Sequence, residues 1–366
     1  MVVHFLITFS IVLLNILPLG AKLRKNIILP FSFIVLFVYW AIRYEYGQDY
    51  WHYYDIFYGN MVMTDYGTGD VLFFMFFNPL FDRYWQAIVG QSAFIMITLY
   101  VFARKYIPTN SYWLFFLLFL ATGGFHFSLI SALRSSLAAG IMYWGFSLAV
   151  IDKNRPLLYC VFVVIASLFH TSALVLLIFP IIKYVIIRMN TKTILILLFF
   201  SNVFAMFVGN LVFNILTSYF SSYFSFLEYY DHYSEQIGNI GWSDFLLKCV
   251  YFLPLYYVCR YYNKTTDERF KNAYVLTIFF FFINFLNMDF HARFTAYLFI
   301  FFVMSLCNVY KVSLRRTKFL ILGPYIVVVF VWLGFFYYQV FSLRNSVYIN
   351  GNFDVYKTIF DSHSFP

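Results

Sequence analysis

Residues 2–19 read VVHFLITFSIVLLNILPL, an apolar run of 18 residues without a charge, followed at once by Lys22, Arg24 and Lys25. Wound as a helix, such a run rises about 27 Å, close to the roughly 30 Å of a bilayer's hydrocarbon, so it reads as a membrane crossing. The basic residues stand after the run and not before it. That is the pattern of a retained helix that starts outside, not of a cleaved signal peptide. A second uncharged run of this kind, residues 319–340, lies towards the other end of the chain.

Between them the signal repeats. Hydrophobic residues make up 63% of the 366 and charged residues 11%, and the mean hydropathy is +0.76. These values place the chain among polytopic all-α integral membrane proteins. Spans are expected near 2–19, 27–42, 85–103, 112–130, 134–151, 157–170, 172–187, 193–216, 242–262, 272–287, 292–310 and 319–341, about 12 transmembrane helices in one domain covering 1–366. The 51 Phe and 33 Tyr suit a lipid-facing surface with Tyr at its interfaces. Cys160, Cys249, Cys259 and Cys307 are scattered without metal-ligand spacing and read as small buried apolar residues.

Charge orients the spans. Lys22, Arg24, Lys25, Arg104, Lys105, Lys153, Arg155, Lys183, Arg188, Lys192, Arg260, Lys264, Arg269, Lys271, Lys311, Arg315, Arg316 and Lys318 all fall in connectors that share one side, 18 of the 25 basic residues. That side is expected to be cytoplasmic, with both termini outside. The net charge of +9 is therefore a topology signal and implies no nucleic acid partner. Of the acidic residues only Asp152, Asp267 and Glu268 lie on the inner side. The larger polar segments, 43–84, 217–241 and the tail 342–366, are expected to be extracytoplasmic. Residues 71–81, with Asn78 and Pro79, are too short to cross and read as a re-entrant or interfacial piece, and 219–230 as an outer interfacial stretch.

Against this pattern, Arg43, Arg134 and Arg293 sit at outer ends of spans, where positive charge is disfavoured. Arg43 opens the run RYEYGQDYWHYY, in which Gly47 permits a turn that could face Arg43 and Asp49 into one pocket, while Tyr50, Trp51, Tyr53 and Tyr54 offer ring faces on which sugars stack. The same run also fits an interfacial loop with a snorkelling Arg and an aromatic belt. Arg134 is the one large polar group in SALRSSLAAG, among small residues that favour close helix packing. It points either to a ligand in a protein cavity or to a structural ion pair with Asp49 or Asp289. His170 begins HTSA at the outer turn of a helical hairpin, as a functional group or as a cap. A further outer cluster holds Asp289, His291, Arg293 and Tyr297, where Asp289 could pair with Arg293 at i+4; the tail adds Arg344. No Walker lysine motif, GxSxG, HExxH or DxD pair is present, which removes support for ATPase, hydrolase and metal-dependent nucleotide-sugar chemistry. No cofactor is expected.

Taken in order, Arg43 with Gly47, Asp49 and Tyr54, then Leu133-Arg134-Ser135-Ser136-Leu137-Ala138, then His170-Thr171-Ser172-Ala173, then Arg293 with Tyr297, the chain resembles the EpsG-like branch of the Wzy polysaccharide polymerases. One departure is Ser135, where a Gln is expected in many relatives. The resemblance implies a GT-C-like membrane glycosyltransferase of the bacterial cytoplasmic membrane, working without metal on its outer face. It would move a growing glycan from undecaprenyl pyrophosphate to the non-reducing end of a lipid-linked repeat unit, alongside a flippase and a chain-length regulator.

On that reading Arg43, Arg134 and Arg293 hold the pyrophosphate, Arg being suited by its permanent charge and planar fork. Asp49 and His170 are the candidate bases, with Asp289 and His291 behind them. A lipid-linked glycan ligase would use nearly the same parts, a flippase or transporter would line a cavity through the bilayer with cationic residues and show a repeated architecture, where here they cap one face, and a membrane acyltransferase could use His170.

Overall fold

The computed structural model describes residues 2–47, 49–60, 75, 77–121, 123–207, 249, 251–286, 289–315, 334, 356–358 and 360, with backbone alone for 2, 123–124, 205–207, 284–286, 289–293 and 312–315. The expected outer stretch 219–230, the span 319–341 apart from residue 334, residues 71–74 and 76 of the expected piece 71–81, and Arg344 lie outside the described residues.

The described chain is almost wholly helical. Helix α1 (Val2–Ile16) is followed by a helix that begins at Ala21–Leu23, widens through a π turn at Arg24–Ile28 and continues as α2 (Leu29–Ala41). A two-residue strand β1 (Arg43–Tyr44) leads to the short α3 (Tyr50–Phe57). There follow α4 (Tyr84–Tyr106), α5 (Tyr112–Ala121), α6 (Gly123–Ser131) and α7 (Leu133–Phe146), the last running on through a π turn at Ser147–Ile151. Helix α8 (Pro156–Ser167) precedes a 3-10 stretch, Thr171–Ile178, that continues into α9 (Phe179–Arg188). Helices α10 (Thr191–Phe207), α11 (Phe252–Tyr262), α12 (Glu268–Leu286) and α13 (Asp289–Arg315) complete the bundle, and β2 (Lys357–Thr358) pairs antiparallel with β1, Arg43 opposite Thr358.

Among the described residues three helices are long and apolar enough to cross a membrane: Tyr84–Tyr106, Thr171–Arg188 and Phe294–Lys311. The pair Thr109–Ala121 and Phe125–Ser131 makes a fourth if taken together, but it bends by 63°. The sequence pattern predicts one continuous span over 112–130; the bend lies between Ala121 and Phe125, beside Gly123 and Gly124, two successive residues without a Cβ that weaken a helix. Val3–Ile16, Pro156–Ser167 and Thr191–Phe204 are apolar but shorter.

The bundle packs α1 on α5, α2 on α4, α4 and α8 on α7, α10 on α12, and α13 against α5, α6, α7 and α12. Its core is strongly aromatic, with Phe115, Phe116, Phe119, Tyr143, Phe146, Phe279, Phe281 and Phe301 all buried, while Ile34, Ile97, Leu157, Ile181 and Phe200 face outward. The high aromatic content thus fills helix contacts as well as an apolar surface. Small residues set the closest approaches: a Cβ on Gly145 would lie 2.6 Å from Cβ of Phe162, and one on Gly140 2.5 Å from the ring of Phe94. Lipid offers no hydrophobic gain for helix association, so close fit of this kind has to supply it.

Candidate active site

The chain leaving α2 reaches the break between α6 and α7 because Gly47 lets it. Gly47 has φ +116, and a Cβ there would lie 3.1 Å from Cα of Ser131. The Asp49 amide donates to Ser131 Oγ at 3.4 Å, and the Tyr50 amide to the Gly47 carbonyl at 3.2 Å. This turn starts α3, whose Tyr50, Tyr53 and Ile56 pack with Tyr84, Ile88, Leu133 and Leu137. Asp49, half-buried, stands at the head of the helix.

Across from α3, Ala132 is extended (φ −96, ψ 90) and caps α7, so that Arg134 lies in its first turn. Helix N-termini present unsatisfied N–H groups and a partial positive charge, to which Arg134 adds a full one. Arg134 Nε donates to Tyr53 OH at 3.1 Å, and its guanidinium carbon lies 5.7 Å from the Tyr53 ring centroid. Asp49 and Arg134 both act electrostatically on His52 and Tyr53. Burial lowers the proton affinity of His52 below the ordinary 6.5, with Asp49 opposing and Arg134 adding to that shift. Burial raises the Tyr53 phenol, which Arg134 opposes and Asp49 reinforces. A carboxylate, a guanidinium, an imidazole and a phenol therefore share one small region at one end of the helices.

Phe169 packs against the same cluster of Tyr53, Leu133 and Leu137, which brings the next residue, His170, to the level of Arg134. His170 is the N-cap of the 3-10 stretch: its Nδ1 accepts from the Ser172 amide at 3.3 Å and lies 2.6 Å from Ser172 Oγ. Because an amide N–H can only donate, Nδ1 is the unprotonated nitrogen and the neutral ring carries its proton on Nε2. Ser172 Oγ also lies 3.3 Å from Tyr297 OH, joining the turn to α13, and Tyr143 OH on α7 donates to the Ala296 carbonyl.

Arg43 is placed differently from the expectation of a ligand-facing cation. It is 2% exposed, and its guanidinium donates to the Trp40 carbonyl at 2.7 Å, Ser92 Oγ at 3.1 Å and Gln91 Oε1 at 3.1 Å. Gln91 in turn donates to the Leu129 carbonyl at 3.0 Å and Ser136 Oγ at 2.7 Å. The charge is thus wired through α4 to both sides of the α6–α7 break. Of the aromatics expected to meet sugar, Tyr50 and Tyr53 are 5% and 4% exposed, whereas Trp51 is 40% exposed and Tyr54 half-buried. Tyr297 is fully buried. The side chains of Asp289, His291 and Arg293 lie outside the described residues, although the backbone of α13 includes all three. No three His, Cys, Asp or Glu converge among the described residues.

Gln91 and Ser92 belong to the site region without any expectation from sequence, and Ser131 and Ser172 stand in the quoted motifs with no role of their own assigned there. The available signal was a polar pair, Gln91-Ser92, inside an otherwise apolar span, because polar groups at that depth need partners.

The sequence model of the EpsG family matches residues 26–356, most of the chain, and members of that family are Wzy-like polymerases. No curated protein and no solved structure matches the chain.

Proposed function

The chain belongs to the EpsG family, and from that premise we propose that it polymerises polysaccharide by the Wzy reaction. A growing glycan leaves undecaprenyl pyrophosphate for the non-reducing end of a lipid-linked repeat unit. The bond from the anomeric carbon to the pyrophosphate oxygen breaks, the acceptor hydroxyl oxygen takes its place, and the hydroxyl proton passes to a base.

The chemistry asks chiefly for preorganised positive charge where negative charge develops on the leaving group. The observation that carries the reading is Arg134 at the start of α7, oriented by Tyr53 and facing the loop that brings Asp49. Arg134 grips the pyrophosphate. Arg293, four residues before Tyr297 in α13, is its proposed second ligand, with Asp289, His291 and Arg344 as further contributors. Arg43, held by Trp40, Gln91 and Ser92, acts through them as a positioning residue. The engaged Nδ1 of His170 favours a donor role for Nε2–H towards a departing phosphate oxygen, which leaves Asp49 as the base. Trp51 and Tyr54 offer the accessible sugar platforms, with Tyr50 and Tyr53 beneath them. The same reading takes in about twelve crossings in a GT-C-like arrangement in the bacterial cytoplasmic membrane. Segments 43–84, 217–241 and 342–366 and both termini are then outside, a flippase and a chain-length regulator are partners, and no metal is required.

Purified protein in lipid, given synthetic undecaprenyl-pyrophosphate repeat units and no added metal, is expected to yield a product ladder. Arg134→Ala is expected to insert normally and to lose about 10²-fold or more of the rate, the order of one preorganised donor at a transition state. Polymer of normal length and rate from that variant would overturn the assignment.

A further inference from the structure

A second cationic site lies at the opposite end of the same helices. Helix α4 carries Gln91 and Ser92 near its start and Arg104 and Lys105 in its last turn; at 1.5 Å per residue its 23 residues separate the two ends by about 33 Å. There a cavity of about 370 Å³ is lined by Lys25, Arg104, Lys105, Arg269, Lys311 and Tyr112 among others. Five basic side chains from four separate stretches of chain thus meet in one recess.

Among the described residues the acids nearby do not balance them. Asp267 lines the cavity, and Asp152 takes Lys105 in an ion pair and stands 3.4 Å from Arg269 Nε. Arg104 is held by Tyr100 OH and by Asn26 Oδ1 at 3.3 Å. Lys25 and Lys311 form no ion pair among the described residues. Tyr112 is 0% exposed, lines the recess, and its hydroxyl has no hydrogen-bond partner among the described residues. An unmatched cluster of cations with a buried donor at its wall has the chemistry of a phosphate site: several N–H donors of positive charge and one hydroxyl. Basic recesses at helix ends on a membrane's cationic face are where anionic headgroups are held.

We propose that this cavity binds a phosphate-bearing anion, supplied by an anionic lipid headgroup or by phosphate in solution, at a site separate from the Arg134 region. Ligand phosphate would bridge Lys25 and Lys311 across the recess and accept from Tyr112 OH.

The test measures the thermal midpoint of the full chain in neutral detergent on adding dioctanoyl phosphatidylglycerol, dioctanoyl phosphatidylcholine or inorganic phosphate. Phosphatidylglycerol is expected to raise the midpoint, an effect that weakens with salt. Lys25→Gln with Lys311→Gln is expected to lower the apparent affinity at least about tenfold, since each loses a charge-assisted bond. Neither lysine has an ion pair to break among the described residues, and Arg134→Ala, in the other region, should keep the response. A rise with phosphatidylglycerol alone identifies a headgroup site, and an equal rise with inorganic phosphate a site for the free ion. The proposal is overturned by no rise with either, by an equal rise with phosphatidylcholine, or by a rise that the double variant retains.

Discussion

His170 combines two roles that one substitution separates. Its Nδ1 caps the 3-10 stretch by accepting from the Ser172 amide, while Nε2 is the nitrogen assigned to the proposed chemistry. Asn is among the best N-capping residues but has no titratable group. His170→Asn is therefore expected to keep the thermal midpoint in detergent and to lose about 10²-fold or more of polymerisation rate, the usual weight of a positioned proton donor or acceptor. His170→Ala should lose both, with the missing cap costing about 1 kcal/mol. If His170→Asn polymerises like the parent protein, the imidazole is a cap and nothing more. At this scale the sequence made the charged candidates legible, because a cation at an outer helix end stands out against a topology rule. It did not make their partners legible. Ser172 becomes distinctive only through what it touches, Gln91 stands out in sequence only as one of a polar pair, and Arg43 looks like Arg134 until its burial and three bonds to protein acceptors are seen.

The loop 43–49 and the α6–α7 break form one element, held by contact on one side and by a buried network on the other. On the contact side, Gly47 sits at φ +116, a conformation that L side chains rarely adopt, with Ser131 Cα 3.1 Å from where a Cβ would stand. Gly47→Ala has to strain the backbone and push the loop from Ser131, at an expected cost of about 1–3 kcal/mol, read as a lower thermal midpoint together with reduced polymer. The Ser131→Gly partner change removes the Oγ and Cβ contacts but leaves Cα in place and the φ unchanged, so it should restore only part of either. On the network side, Gln91→Leu leaves one Arg43 donor without its acceptor and takes a donor from the Leu129 carbonyl and from Ser136 Oγ, which keeps its bond to the Leu133 carbonyl, costing about 1–3 kcal/mol because a buried charged donor is left unsatisfied. Adding Arg43→Leu removes the stranded charge, so the double variant is expected to regain most of the midpoint and to polymerise. A well-folded but inactive double variant would place Arg43 on the pyrophosphate instead. Helix boundaries were readable from apolar runs: 85–103 against Tyr84–Tyr106, and 157–170 against Pro156–Ser167. The 63° bend within 112–130 was not, because periodicity reports which residues are apolar and is silent about a Gly-Gly break that tertiary packing exploits.

Across the whole molecule, the site region depends on a contact between distant parts of the chain. Tyr356, next to β2, donates to the Tyr39 carbonyl and lays its ring 4.8 Å from that of Tyr39 and 5.1 Å from that of Tyr46. Tyr39 OH lies 3.2 Å from Tyr46 OH and 3.5 Å from His4 Nδ1, so one tail residue closes a lattice joining α1, α2 and the loop that carries Asp49. Such a contact is invisible to local patterning, since β2 has two residues and its partner lies more than 300 positions away in sequence. Lys357 pairs with Glu45 beside it, but both are solvent-accessible, and an exposed pair contributes about 0.2–1 kcal/mol. The ring carries more than the charge. Tyr356→Ala is expected to cost about 1–3 kcal/mol through lost aromatic contacts and a lost hydrogen bond, and to lower polymer output although Arg134 and His170 are intact. Tyr356→Phe, which keeps the ring, should retain most of both, and Lys357→Ala nearly all. Thermal midpoints in detergent with product ladders from the same preparations decide the matter. If Tyr356→Ala matches the parent protein in both, the tail strand does not brace the site and the loop is held by Gly47 and Ser131 alone.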